Sequence, residues 1–290
     1  MILKSTGRMI AAAACLGGAM AIAPIVNASS IGVKFAETGD GYTFPTFAGT
    51  AGVTTANGGS GNYAQGNWNN LAGEEGTKIT SGSLTSLTDN TGATALGAGG
   101  NDITFAYTTA HYLNATKSVT STNNATSTPD QQLVSGAIEN DEGTPATAEF
   151  SNVAPGTYSV VIYTLFQGSG AYSGGANFSI NGGTAVTLLE QSGTAFSIPA
   201  TTAWMSNPGA TSTSSGVSNY YVFSGISPDA SSNVTLSWFK NSLGGVDGNG
   251  NGLAAIQLVS ATTPEPASLA LLAAPAIGLL LVRRKARVTA

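Results

Sequence analysis

The chain has 290 residues, of which 38 are glycine and only 9% are charged, and its formal net charge is −5 at pH 7. Residues 29–263 contain four lysines, no arginine and 14 acidic residues, so this part has a net charge of −10. Binding to nucleic acid requires lysine and arginine to neutralise phosphates, so the composition excludes a nucleic-acid-binding protein. The many glycine, threonine, serine and asparagine residues predict short strands joined by turns.

The first 28 residues have the pattern of an export signal. Two basic residues precede an apolar stretch at 9–26, which is followed by small residues suited to signal peptidase. We therefore predict a signal peptide at 1–28 that is cleaved between Ala28 and Ser29. Cys15 is the only cysteine of the chain and lies within this segment, so no disulfide can form after cleavage. A lipoprotein signal that uses Cys15 is the alternative.

The chain that follows is a series of short strands without a helical period. Its strongest strand is 157–166, where aromatic and β-branched residues without alternation predict burial on both faces and a central place in a sheet. The sequence Asn181-Gly182-Gly183 predicts a hairpin. The polar segments 108–130 and 197–219 are predicted to be long surface loops. The predicted strands are 31–35, 103–107, 147–153, 157–166, 176–180, 185–189, 220–226, 233–239 and 253–259.

This strand spacing predicts an all-β protein, with residues 29–263 forming one β-sandwich domain of the jelly-roll type. The order of four landmarks resembles that of the galactose-binding-like jelly rolls. These landmarks are IGVKFA from Ile31, WNNL from Trp68, GTYSVVIYTLF from Gly156 and GLAAIQLV from Gly252. The resemblance implies a fold and brings no catalytic motif, and the two long polar segments depart from it.

The stretch at 263–287 has three parts. A Pro-Glu-Pro triplet precedes an uncharged apolar run at 267–282, which would rise about 24 Å as a helix, and a basic cluster follows. The run suits a short transmembrane helix whose basic end stays in the cytoplasm, and an ordinary tail anchor is the alternative. The residues of the first and third parts are Pro264, Glu265, Pro266, Arg283, Arg284, Lys285 and Arg287.

These three parts, in this order, resemble the PEP-CTERM sorting signal of Gram-negative bacteria. The resemblance implies that residues 264–290 form a sorting segment that an exosortase processes at the inner membrane. The protein would then be released or anchored at the cell surface. It also implies an association with exopolysaccharide or biofilm, so exosortase, the inner membrane and exopolysaccharide are the expected partners.

Few residues of the exported part are arranged for catalysis or for binding a cofactor. His111 is the only histidine, which excludes a zinc site made of several histidines. Asp247, Asn249 and Asn251 match the first half of a calcium loop, and calcium is the one cofactor that the sequence leaves open. Leu258 stands where such a loop has its bidentate glutamate, so a plain turn is the alternative.

Aromatic side chains on loops are the residues that would stack on sugar rings. Trp68 with its neighbour Asn69, and separately Trp204, are therefore predicted to bind carbohydrate, although a loop tryptophan can instead cap the core. Trp238 is predicted to be a core residue. Together these features predict an exported, non-enzymatic binding or structural protein of the cell surface or extracellular matrix. A secreted carbohydrate-active enzyme that uses loop carboxylates is the alternative.

Overall fold

The computed structural model describes residues 30–38, 63–74, 80–109, 112–115, 130, 133, 136–140, 144–164, 166–167, 175–189, 192–193, 206, 208–209, 218–241 and 252–261. The predicted signal peptide and the sorting segment lie outside these ranges. In the part described, no helix is long and apolar enough to cross a membrane. Strands dominate the described residues, which confirms the all-β prediction.

The strands are numbered in chain order. They are β1 (Ser30–Thr38), β2 (Asn69–Glu74), β3 (Ser81–Leu84), β4 (Thr104–Thr108), β5 (Tyr112–Ala115), β6 (Gly136–Glu139), β7 (Ala146–Ser151), β8 (Tyr158–Thr164), β9 (Phe166–Gln167), β10 (Gly175–Ile180), β11 (Val186–Leu189), β12 (Ser192–Gly193), β13 (Tyr220–Ile226), β14 (Val234–Asn241) and β15 (Gly252–Ser260). A short 3-10 turn at Ala98–Gly100 interrupts the segment between β3 and β4.

Two sheets contain nearly all of these strands. The first sheet has seven strands in the order β13-β8-β15-β1-β2, with β6 paired to β15 and β5 paired to β6. Its β1–β2 pair is parallel, and its other pairs are antiparallel. The second sheet has six antiparallel strands in the order β11-β10-β14-β7-β4-β3. The short strands β9 and β12 pair separately.

The core lies between the two sheets and is rich in aromatic side chains. Phe35 of the first sheet packs against Phe105 and Tyr107 of the second, with ring centroids 6.0 and 5.8 Å apart. Trp238 stacks on Phe178 at 6.4 Å and is fully buried. This placement confirms that Trp238 is a core residue. The two sheets therefore pack face to face around a single large cluster of buried side chains.

Every strand predicted from the sequence has a counterpart in the structure, with small differences at the ends. β8 lies between β13 and β15, and its residues from Val160 to Thr164 are buried, which confirms the central position. The predicted hairpin joins β10 and β11, and Asn181 and Gly182 have positive φ angles of 49° and 68°, as such a turn needs.

The sequence prediction missed four strands of the two sheets, β2, β3, β5 and β6. β5 lies within 108–130, so the prediction of an uninterrupted surface loop there is wrong. The missed strands are short, and sequences such as SGSL in β3 and GAIE in β6 contain glycine or small residues with little β-propensity. They form because a neighbouring strand supplies the hydrogen bonds, which is a property of the tertiary structure.

Candidate functional site

The outer face of the first sheet is covered by other parts of the chain. Val161, Tyr163 and Ala255 point away from the central core and form a second buried cluster with Trp68, Leu133 and Ala137. The segment 63–68, together with Leu133, is called the cover below. Trp68 is only 6% exposed, and its ring meets Tyr163 edge-on at 5.7 Å. The middle of the first sheet, at residues 30–35 of β1, 160–164 of β8 and 252–258 of β15, is therefore buried on both faces.

A glycine beneath the cover makes room for the indole of Trp68. A Cβ atom added at Gly32 of β1 would overlap the Trp68 ring and the Gln65 side chain. The indole Nε1 donates a hydrogen bond to the carbonyl oxygen of Gln65 at 3.1 Å. Both the ring and the N–H group of Trp68 are thus used within the protein.

This placement corrects the prediction that Trp68 offers a face to a sugar ring, because the indole is buried against the sheet. Asn69, its predicted companion, is also occupied by the fold. Its Nδ2 donates to the carbonyl oxygens of Gly32 and Thr88 at 2.9 and 2.8 Å, and its Oδ1 accepts from the Thr88 amide at 2.8 Å. The alternative, in which Trp68 caps part of the core, agrees with these contacts.

A buried hydrogen-bond network ties the cover to the first sheet. The Nε2 of Gln257 in β15 donates to Ser30 Oγ and to the Tyr63 carbonyl oxygen, both at 2.8 Å. The Tyr163 hydroxyl donates to Gln257 Oε1 at 3.1 Å, and Ser30 Oγ donates to Gln65 Oε1. Sequence reasoning did not find this network, because its members come from four separate segments and match no motif.

Lys34 and Asn70 lie side by side under the same cover. Val33 and Phe35 point into the central core, so Lys34 between them points to the covered face, where it is 1% exposed. Burial lowers the pKa of its ammonium group from 10.5 to about 8. Asn70 is the register partner of Lys34 in the parallel β1–β2 pair. Among the described residues, its buried Oδ1 has no hydrogen-bond partner.

The outer face of the second sheet carries polar side chains and has no such cover among the described residues. Strand register aligns five hydroxyl side chains in one row across five strands. Adjacent strands lie about 4.8 Å apart, so the row is about 19 Å long. This hydroxyl row consists of Ser81, Thr108, Thr147, Ser237 and Ser179.

Amides, one carboxylate and one aromatic ring flank the hydroxyl row. Asn177 Oδ1 accepts from Thr187 Oγ1 at 2.7 Å and from Asn241 Nδ2 at 2.9 Å. Glu149 is the only charged side chain that the described strands place on this face, and its Oε2 accepts from Thr235 Oγ1 at 2.7 Å. Phe239, the register partner of Asn177, is 37% exposed. The hydroxyl row and these flanking residues are called the polar face below.

Several predicted site residues lie outside the described part of the chain, so their roles stay predictions. They are Ala28 and Ser29 at the cleavage site, Trp204, the calcium-loop residues Asp247, Asn249 and Asn251, and all sorting residues from Pro264 to Arg287. Where the chain is described, no group of three or more histidine, cysteine, aspartate or glutamate side chains could hold a metal ion.

No protein-family model and no curated protein matches the chain. Among solved structures, it is similar to a β-glucuronidase from Bacteroides uniformis with 14% identity and a TM-score of 0.33, covering 68% of this chain and 20% of that one. It is also similar to the mosquito-larvicidal Cry4Aa toxin from Bacillus thuringiensis with 15% identity and a TM-score of 0.25, covering 44% and 19%. The chain thus spans about a fifth of either protein. Scores this low support no inference about function.

Proposed function

We propose that this chain is an exported, non-enzymatic protein that a PEP-CTERM system sorts to the cell surface or extracellular matrix, where it associates with exopolysaccharide. The observation that carries the proposal is the coincidence of three features within 263–287: Pro-Glu-Pro, an uncharged apolar run and a basic cluster. The apolar run would hold the protein in the inner membrane until an exosortase acts on it. The segment at 1–28 would direct the export.

Within this proposal, residues 29–263 form a jelly-roll domain. The support comes from the path of the chain, which changes sheet repeatedly. It passes from β7 in the second sheet to β8 in the first, returns for β10 and β11, and then alternates through β13, β14 and β15. Such crossing between two packed sheets is typical of Greek-key and jelly-roll connections.

The polar face is the surface through which we propose that the domain contacts polysaccharide. Uncharged hydroxyl and amide groups can exchange hydrogen bonds with sugar hydroxyls. The one carboxylate on the face, Glu149, is already hydrogen-bonded at both oxygens, by Thr235 Oγ1 and by Ser151 Oγ. Phe239 adds an exposed ring that can cover the apolar side of a sugar. A face with this composition suits a neutral polysaccharide better than a polyanion, since it offers no cation.

The sorting proposal is tested by changing Pro264 and Pro266 together to alanine and following the protein by cell fractionation in a host that has an exosortase. We expect the variant to accumulate unprocessed in the inner membrane, with an unchanged melting curve for the exported domain. Deletion of 283–287 should also change its location. If the double variant reached the surface and was processed like the wild type, an ordinary tail anchor would replace the sorting signal.

A further inference from the structure

We propose that Lys34 and Asn70 are joined by an intramolecular isopeptide bond that links β1 to β2 beneath the cover. The two residues are register partners in a parallel strand pair, so their side chains leave the sheet on the same side. Neighbouring strands lie about 4.8 Å apart, which a lysine side chain easily spans. Lys34 is 1% exposed, so its amine cannot reach water without moving the cover.

The surroundings of Lys34 favour the neutral, nucleophilic form of its amine. On its other side, the register partner of Lys34 is Ala255, and the buried cluster above the sheet is formed by aliphatic and aromatic residues such as Trp68 and Leu133. Removal from water disfavours the ammonium form, and burial lowers the pKa of Lys34 to about 8. Desolvation of this kind is one way in which proteins activate lysine as a nucleophile.

Asn70 supplies the electrophile. Its Oδ1 is buried and has no hydrogen-bond partner among the described residues. An unpaired buried amide oxygen is unfavourable, and native structures contain few of them. Leu71, the next residue, points into the central core and so fixes the direction of Asn70 toward the cover. The carboxamide oxygen is therefore buried on the same side of the sheet as the lysine side chain.

The reaction balances without a cofactor, oxidant or reductant. The neutral Nζ of Lys34 attacks Cγ of Asn70, and a new C–N bond forms. The bond between Cγ and Nδ2 then breaks, and the departing nitrogen takes a proton from the attacking amine to leave as ammonia. The product is a secondary amide, and the protein loses the mass of one ammonia molecule.

The bond would link β2, an edge strand of the first sheet, to β1, and would close a loop of about 36 residues. Closing a loop of this length in the unfolded chain stabilises the folded state as a disulfide does. The exported part contains no cysteine, so a disulfide cannot serve that purpose. Breaking the link should lower the melting temperature by about 10 °C.

The test is mass spectrometry of the purified protein, denatured and digested with trypsin. No lysine or arginine lies between Lys34 and Asn70, and trypsin does not cleave after a modified lysine. We therefore expect one cross-linked peptide that ends at Lys78, is uncut after Lys34 and is lighter by one ammonia than its sequence. Lys34→Met and Asn70→Ala should each yield only linear peptides. In Asn70→Asp the bond should still form, now with loss of one water molecule, while Lys240→Met should leave the cross-linked peptide in place.

Linear peptides carrying unmodified Lys34 and Asn70 from the wild-type protein would overturn the proposal. That measurement does not depend on whether the variants fold. It is also independent of the sorting and polysaccharide proposals, because neither of them requires a bond between these strands.

Discussion

The two sheets of this protein differ most on their outer faces. The outer face of the first sheet lies under the cover, where Lys34, Gln65 and Gln257 are each 3% exposed or less. The corresponding face of the second sheet carries the hydroxyl row, whose members are all partly or fully exposed to solvent. A polar residue on an outer face of this fold is therefore either a buried group of the protein interior or a group exposed to solvent. The presence or absence of a cover decides which of the two it is.

The cover separates polar groups that hydrogen-bond within the protein from polar groups that can bind a ligand. The members of the network under the cover satisfy one another, as Gln257 does with Ser30 and Tyr163, and networks of this kind fix one arrangement of the chain. Polar side chains on the open face retain hydrogen-bonding capacity for a ligand. Changes beneath the cover or in the core should thus alter stability, whereas changes on the polar face should alter binding.

The largest effect is expected in the core between the sheets. Trp238→Ala removes a fully buried indole that stacks on Phe178, and should lower the free energy of unfolding by about 3–5 kcal/mol. Chemical denaturation of the purified protein measures this loss. Trp238→Phe is the matched control and should lose less, since it keeps a ring and removes a buried N–H that has no partner among the described residues. A loss below about 1 kcal/mol for Trp238→Ala would contradict the assigned core.

Trp68→Ala should have the next largest effect, about 3 kcal/mol of unfolding free energy, because the indole fills the space between Gly32 and Tyr163. Retention of the folded variant on polysaccharide should stay as in the wild type. Gly32→Ala should also be destabilising, by about 1–3 kcal/mol, since its Cβ would overlap the same ring. If Trp68→Ala kept full stability but lost polysaccharide binding, Trp68 would be a binding platform after all.

Because Lys34 is buried, we expect the stability of a variant that lacks the proposed bond to depend on pH. In Asn70→Ala the proposed bond cannot form, and burial holds the pKa of Lys34 near 8, below its ordinary 10.5. Between these values the unfolded chain binds more protons than the folded one, so stability should rise with pH, by up to about 3 kcal/mol. Denaturation of Asn70→Ala and of Lys34→Met/Asn70→Ala across pH 7–11 isolates this contribution. Parallel pH profiles for the two variants would contradict a lowered pKa of Lys34 in the folded protein.

Sequence patterns predicted the parts of the fold that local chemistry determines. The run at 157–166 is so rich in aromatic and β-branched residues that its central position followed directly, and Asn181-Gly182 specifies its own turn. The cover was not predictable, because it depends on Gly32 meeting Trp68, and these residues are far apart in the chain. Lys34 in an alternating strand likewise resembled a solvent-facing residue. The polar face was missed because its rows exist only once strand register is known.

Two exposed apolar residues form a matched pair that tests whether the polar face of the second sheet binds polysaccharide. Phe239 is 37% exposed on the polar face, and Leu96 is 39% exposed in the segment between β3 and β4. Either change to alanine should alter stability by no more than about 0.5 kcal/mol. Only Phe239 lies beside the hydroxyl row, so only its loss should affect a ligand bound there.

The decisive measurement is affinity electrophoresis of the full-length wild type, Phe239→Ala and Leu96→Ala in gels that contain a neutral glucan or, for comparison, an acidic alginate. We predict that the neutral glucan retards the wild type and Leu96→Ala equally, and that Phe239→Ala binds about 5–100-fold more weakly, as for loss of an aromatic anchor. Alginate should retard none of them. Equal retardation of all three proteins by the glucan, or no retardation of the wild type, would contradict the assignment of the polar face as a polysaccharide-binding surface.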